Sequence, residues 1–290
     1  MKFKYLFKNN FKNLSLKSSY HLNNILSSKD DHERLVKQVN SCKKIFFTLT
    51  SGRAGSQSLT NLLSCVEGIT ATHEPNPNFE WHLKEVEHNP RLAKNFWVHQ
   101  KLPAILTSPN EIYVETSHMF SKGYFPAAFD LDLKMNVFCL SNSLRSTANS
   151  YYRLNVIPER TVSGRRFITS PKKSLILPYE GWENLDSYQL CYWYALESEA
   201  RQKIYSQKIR NRGGKVIWVK TDCLSKKGEI ERILGEIGVV PSKEDLRRIS
   251  DIRSVRFNKK SGHKKQVQSF SSDELEEKEN YVREKLGFAT

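Results

Sequence analysis

The sequence predicts an α/β fold, a mainly parallel central sheet flanked by helices. Three observations carry this. Short apolar runs of strand length alternate with longer segments of helical period, the pattern of parallel strands joined by crossover helices. One such unit, Lys43–Leu63, reads as strand, tight loop and helix in unbroken succession. And 290 residues with 38% hydrophobic content suffice for one large domain with a full core.

Taken in order, residues 1–40 are basic and rich in Asn and Ser, and are predicted to form an N-terminal arm before a domain spanning 41–290. Phe3, Leu6, Phe7, Phe11 and Leu14 fall along one side of a short helix. The expectation is a loosely packed arm, with peripheral membrane or partner contact as the sharper alternative. Ile45, Phe46, Phe47 and Leu49 make a buried strand. Ser51-Gly52-Arg53-Ala54-Gly55-Ser56 follows, small or basic throughout, which lets the backbone approach a ligand closely. Leu59, Leu62 and Leu63 then recur at helical spacing, so a helix starts near Ser56–Ser58. Its free N–H groups and positive dipole end face the loop, the arrangement that holds a phosphate or sulfate. Arg53 adds a fixed charge and a planar fork of donors. The nucleoside-triphosphate loop places Lys directly after its last Gly. Here Ser56 follows Gly55, which disfavours triphosphate hydrolysis and a small-substrate kinase.

Gly68–Thr72 is a second strand, stopped by Pro75 after His73 and Glu74. Ligands of open α/β sheets lie off the carboxyl ends of strands, so His73 and Glu74 are expected to face the site. Glu111–Thr116 is a third strand, ending in Ser117-His118. Met135–Ser141 is a fourth and leads into a helix over Ser146–Leu154. Asn155–Tyr179 is basic and rich in Pro, Ser and Gly, and is predicted as a surface loop or lid. Its Arg160, Arg165 and Arg166 are candidates to receive an acidic glycan. Leu185–Gln207 is a long helix whose Leu190, Trp193, Tyr194, Glu197 and Arg201 recur at three- and four-residue steps, as core packing does. Val216–Val219 is a fifth strand, followed by a helix over Glu229–Ile237 that Gly238 closes. A basic segment, Arg256–Lys265, precedes an acidic tail helix, Ser272–Leu286.

Lys and Arg number 46 against 31 Asp and Glu, a net charge of +15, so an anionic partner is expected. The basic residues are spread and no nucleic-acid module is present, which disfavours nucleic acid. The cysteines, Cys42, Cys65, Cys139, Cys191 and Cys223, are isolated. They predict a reducing, cytoplasmic setting and neither a disulfide framework nor a zinc site. No ligand cluster has metal-binding spacing, so no metal is expected. No run approaches the ~20 apolar residues of a membrane span, and the N-terminal lysines are not followed by the apolar core of a secretory signal.

Four separated segments, in order, resemble sulfotransferases. The first is Arg53-Ala54-Gly55-Ser56-Gln57-Ser58-Leu59, which resembles the family's 5′-phosphosulfate loop. The second is Glu74 at a strand end, where several members place a catalytic base. The third is MNVFCLSNSLRSTANSYYRL, whose strand end and helix hold the donor's 3′-phosphate in the family. The fourth is Val219–Leu224 with the helix GEIERILGEIGV. The resemblance implies a P-loop-NTPase-like sulfotransferase fold and transfer of a sulfuryl group from 3′-phosphoadenosine 5′-phosphosulfate to a hydroxyl or amine of a small molecule or carbohydrate. It implies that Arg53, Ala54, Gly55, Ser56, Gln57, Ser58, Asn142 and Ser150 bind the donor. Arg53 would neutralise the leaving phosphate. Glu74 would be the general base, with His73 the competing candidate and His118 a further acceptor-side candidate. One departure stands out: Asn142 occupies the place of the family's Arg, and Ser143-Leu144 that of its Asp-Pro. Arg145, or Lys259 and Lys260 acting as a late basic loop, would then meet the 3′-phosphate. The alternative is a non-catalytic nucleotide- or anion-binding protein of the same fold with a degenerate 3′-phosphate site.

Overall fold

The computed structural model of the chain describes residues 29–253 and 270–288. The apolar residues Phe3 to Leu14 of the arm and the basic segment with Lys259 and Lys260 lie outside the described residues.

Helix α1 (Lys29–Cys42) leads into β1 (Lys44–Leu49), and α2 (Ser56–Leu63) into β2 (Ile69–His73). Helix α3 (Pro90–Phe96) runs on through a π-helical turn, Trp97–Lys101, into α4 (Leu102–Leu106). After β3 (Ile112–Thr116), a second π-turn, Phe120–Tyr124, opens α5 (Phe125–Asp130). Then come β4 (Met135–Ser141), α6 (Leu144–Arg153), α7 (Val162–Phe167), α8 (Ser187–Asn211), β5 (Val216–Lys220), α9 (Lys227–Ile237), α10 (Lys243–Arg253) and α11 (Ser272–Lys285).

The sheet has five strands in the order β2-β3-β1-β4-β5, and every neighbouring pair is parallel. The fold is therefore α/β with an all-parallel central sheet. Side chains alternate across it as the strand period requires. Ile45, Phe47 and Leu49 of β1 enter one core with Val137 and Cys139 of β4, covered by α1, α3, α4, α5 and the end of α8. Phe46, Phe138, Leu140, Ile217 and Val219 point the other way, under α2, α9 and Ile249 of α10. Both faces are covered, which is why the strands read as continuous apolar runs. The strand order turns at β1: β2 and β3 lie on one side, β4 and β5 on the other. The crevice at its carboxyl end is where such sheets hold ligands.

The expected strands stand within a residue or two of their predicted bounds. Helix α6 starts two residues early, because the Ser143 hydroxyl caps it by accepting from Ser146 N at 3.1 Å. The predicted lid, Asn155–Tyr179, is not a surface loop. It contains α7, capped by Thr161, and buries Ile157, Ile168 and Tyr179 in a third core with α6, α8 and Val282 of α11. These apolar residues follow no single period, so neither a helical nor a strand pattern announces them.

Candidate functional site

The loop after β1 is held from both sides. The Tyr151 and Tyr194 hydroxyls each donate to Ser51 O at 2.6 Å, one from α6 and one from α8. Gln202 of α8 donates to Leu49 O at 2.6 Å and to Leu140 O at 2.7 Å, which joins the carboxyl ends of β1 and β4. Gly52 has φ +85°, and a Cβ there would lie 2.5 Å from Tyr151 Oη and 3.2 Å from His118 Cβ. Only glycine fits between those two side chains in that conformation.

Arg53 follows at φ 60°, a left-handed conformation that non-glycine residues seldom adopt. Its side chain is exposed, and Nε donates to Ser150 Oγ at 3.3 Å. Two residues far apart in sequence thus meet over the start of α2. Gly55 is the N-cap of α2 at φ 82°, and no side chain caps the helix. Its first-turn N–H groups therefore receive no side-chain cap. Ala54 is fully buried, while Ser56, Gln57 and Ser58 are half-buried along that first turn. Gln57 is turned along the helix and donates to Asn61 at 3.1 Å.

Of the two candidate bases, His73 is engaged inward: its Nδ1 is 2.8 Å from the Thr116 hydroxyl, which lies 2.6 Å from that of Thr60. Glu74, also left-handed at φ 47°, is anchored by its backbone N–H to Thr116 O and leaves its side chain partly exposed. His118 Nε2 is 3.7 Å from Glu74 Oε1, and Lys122 Nζ is 2.9 Å from His118 Nδ1. Lys122 also donates to Phe167 O at 2.7 Å and sits over the Tyr194 ring. An ammonium only donates, so Nδ1 accepts and Nε2 of a neutral His118 carries its proton toward Glu74. Burial, with the Lys122 charge and His73 beside it, holds the His118 pKa well below its usual value. Burial and Lys84 do the same to Lys122. Burial pushes the Tyr151 pKa up, with the Tyr194 hydrogen bond and the Arg53 charge lowering it and Glu74 adding to the rise.

The strand-end position is otherwise occupied. Asn142 Nδ2 donates to Ser146 Oγ at 3.0 Å and its Oδ1 accepts from Ser143 N at 2.9 Å, both at its own helix start. Arg145 forms a two-pronged pair with Glu279 of α11, Nε to Oε1 at 2.8 Å and Nη2 to Oε2 at 2.9 Å. The arginines of the predicted lid are also spent. Arg160 donates to the carbonyls of Glu183 and Leu185, Arg165 to that of Glu159, and Arg166 pairs with Glu80. Among the described residues no group of three or more His, Cys, Asp or Glu side chains is placed to hold a metal ion.

Lys122, Tyr151, Tyr194 and Gln202 were not singled out from the sequence as site residues. The one local signal was the four-residue step from His118 to Lys122. It falls on a kinked π-turn, with Gly123 at φ 108°, that no helical pattern announces.

A solved structure described as a sulfotransferase domain from the curacin biosynthetic pathway is similar to this chain at a TM-score of 0.48 and 12% sequence identity, over 85% of this chain and 98% of that one. No family model and no curated protein matches the sequence.

Proposed function

We propose that the chain is a sulfotransferase that takes its sulfuryl group from 3′-phosphoadenosine 5′-phosphosulfate and passes it to an acceptor hydroxyl or amine. The observation that carries this reading is the meeting of Arg53 with Ser150 over the uncapped start of α2, with the Glu74–His118 pair at the neighbouring strand ends. The residues present suit such a donor. The first-turn N–H groups of Ser56, Gln57 and Ser58 would cradle the 5′-phosphosulfate, and the donor supplies an activated sulfuryl group when bound. Arg53 would offset the charge that grows on the leaving phosphate oxygen, where a fixed cation contributes most in the transition state. Glu74 would accept the acceptor's proton. His118, with Nε2–H facing it, would orient that carboxylate and not compete for the proton. His73, held by Thr116, would support β2 and take no part in the chemistry.

A second reading, a binding protein with an altered or degenerate 3′-phosphate site, draws support from Asn142 and Arg145, whose side chains are both engaged elsewhere. Calorimetry with 3′-phosphoadenosine 5′-phosphate against ATP and GTP tests the first reading. The bisphosphate should bind most tightly, and Arg53→Ala should weaken it. Preference for either triphosphate, or an Arg53→Ala titration matching wild type, would overturn the donor assignment.

A further inference from the structure

Behind His118 lies a small cavity of about 30 Å³, lined by residues of 83–88, by Lys122 and by 167–173. Such a volume takes roughly two waters or one compact oxyanion. Three lysines, Lys84, Lys122 and Lys173, stand in its polar lining beside Glu87, His88, Thr169 and Ser170. Lys122 forms the floor, 4% exposed, with two of its three N–H groups used on Phe167 O and His118. Lys84 also lines it, and its ammonium donates to Ile168 O. Lys173 also lines the cavity, and its ammonium has no hydrogen bond or ion pair among the described residues. Glu87 lines it too, but its carboxylate is held by Arg201. Thr169 completes the wall. It is 6% exposed, and its hydroxyl is buried without a hydrogen-bond partner. A buried hydroxyl left unpaired is unfavourable, and native proteins resolve it with a partner from a side chain, water or ligand. Crowded ammonium groups ask for an anion in the same place.

We propose that this cavity is the subsite for an oxyanion carried by the acceptor, a carboxylate or sulfate ester, seated between Lys84, Lys122 and Lys173 against the Thr169 hydroxyl. On the transfer reading above, it serves the acceptor and not the donor, because Lys122 is joined through His118 to Glu74, the proposed base. The acceptor class is then acidic: a uronic acid, a sulfated sugar or a similar hydroxyl compound with a fixed negative group. The cation set differs from the one that composition points to, since Arg160, Arg165 and Arg166 are bound elsewhere while these lysines converge.

The binding test uses inorganic sulfate, by calorimetry, with 3′-phosphoadenosine 5′-phosphate present to fill the donor loop. Wild type should bind one further sulfate. Lys173→Met, Thr169→Val and the Lys84→Met/Lys173→Met pair should weaken it by about 10- to 100-fold, while Arg53→Ala should not. Unchanged sulfate binding in all three cavity variants overturns the subsite. The acceptor test compares transfer to methyl glucuronide and methyl glucoside. The glucuronide should have the higher kcat/KM, and the lysine pair should erase only that advantage. If sulfate binds in the cavity but the two glycosides react alike, the occupant is a free anion and the acceptor assignment falls. If instead no transfer occurs and Arg53→Ala leaves the nucleotide titration unchanged, the transfer reading fails, and the sulfate result still decides the cavity by itself.

Discussion

On the proposed transfer, Glu74 and His118 would divide one task between them, with Lys122 donating to His118 Nδ1 and leaving Nε2 to face Glu74. Glu74→Gln removes the proposed base but keeps the shape of the side chain. It should lower turnover by roughly 10²–10⁴-fold and leave nucleotide affinity within about twofold of wild type. His73→Ala should spare turnover and lower stability, having cut the bond to Thr116. Single-turnover rates of the two variants settle the choice, and a greater loss with His73→Ala would reverse it. The charge state of His118 has its own consequence. Its folded pKa is depressed by burial first, then by Lys122 and His73, with Glu74 also facing it. Between that value and the ordinary ~6.5 the unfolded chain binds more protons than the folded one, so this residue's contribution to stability rises with pH across that window. It is complete above the unfolded value and lost as pH falls through the folded one. The stability gap between wild type and His118→Asn should therefore shrink from pH 7 to pH 5, as urea midpoints would record. A gap that stays constant would mean that His118 is not held neutral. Arg53 and Glu74 were legible because a loop and a strand end are local features. Tyr151 and Tyr194 were not, since each reaches Ser51 across 100 or more positions of sequence.

At the scale of elements, five strands and the helices that cover them follow from apolar period, turn residues and caps. Helix α11 shows where that reasoning stops. Its acidic pattern announces a helix, but not that Glu279 would be 7% exposed and bound to two other elements. The carboxylate accepts two bonds from Arg145 of α6 and one, at 2.5 Å, from the Tyr188 hydroxyl of α8. Beside it Lys278 pairs with Asp186, and Val282 is fully buried. Glu279→Ala leaves a phenol and a guanidinium without their acceptor. Hydrogen bonds to charged groups contribute about 1.5–3 kcal/mol each, but the Arg145 side chain is 37% exposed, so water recovers part of its share. A net loss of about 1–3 kcal/mol is expected, and a denaturant midpoint within error of wild type would contradict it. Glu279→Gln should cost less, because its amide oxygen still accepts from Tyr188. The segment 155–179 failed at this scale for the opposite reason. Its Pro, Ser and Gly content marks turns truthfully, yet Ile157, Ile168 and Tyr179 between those turns are buried.

For the whole molecule, a charge of +15 favours encounter with any polyanion and names none. On the proposed transfer, discrimination between donors would come from the strand end of β4, where Asn142 stands at the position for which the resemblance implies an arginine. Asn142 carries no charge and spends its amide on Ser143 N and the Ser146 hydroxyl, while Arg145 is paired with Glu279 of the tail helix. A 3′-phosphate placed beside them would meet the neutral Asn142 amide and an arginine already paired with Glu279, and charge-assisted hydrogen bonds are roughly twice as strong as neutral ones. We therefore expect wild type to favour 3′-phosphoadenosine 5′-phosphate over adenosine 5′-phosphate by a smaller margin than a site with an arginine there. Asn142→Arg should widen that margin about 10-fold or more, since residue 142 is exposed and a longer side chain has room. Lys259→Ala/Lys260→Ala probes the other cations expected from the sequence to meet the 3′-phosphate. If the pair cuts the margin, those lysines meet the 3′-phosphate in place of the missing arginine. If wild type binds the two nucleotides equally and Asn142→Arg changes neither, the site does not distinguish the 3′-phosphate, and the binding-protein reading replaces the transferase.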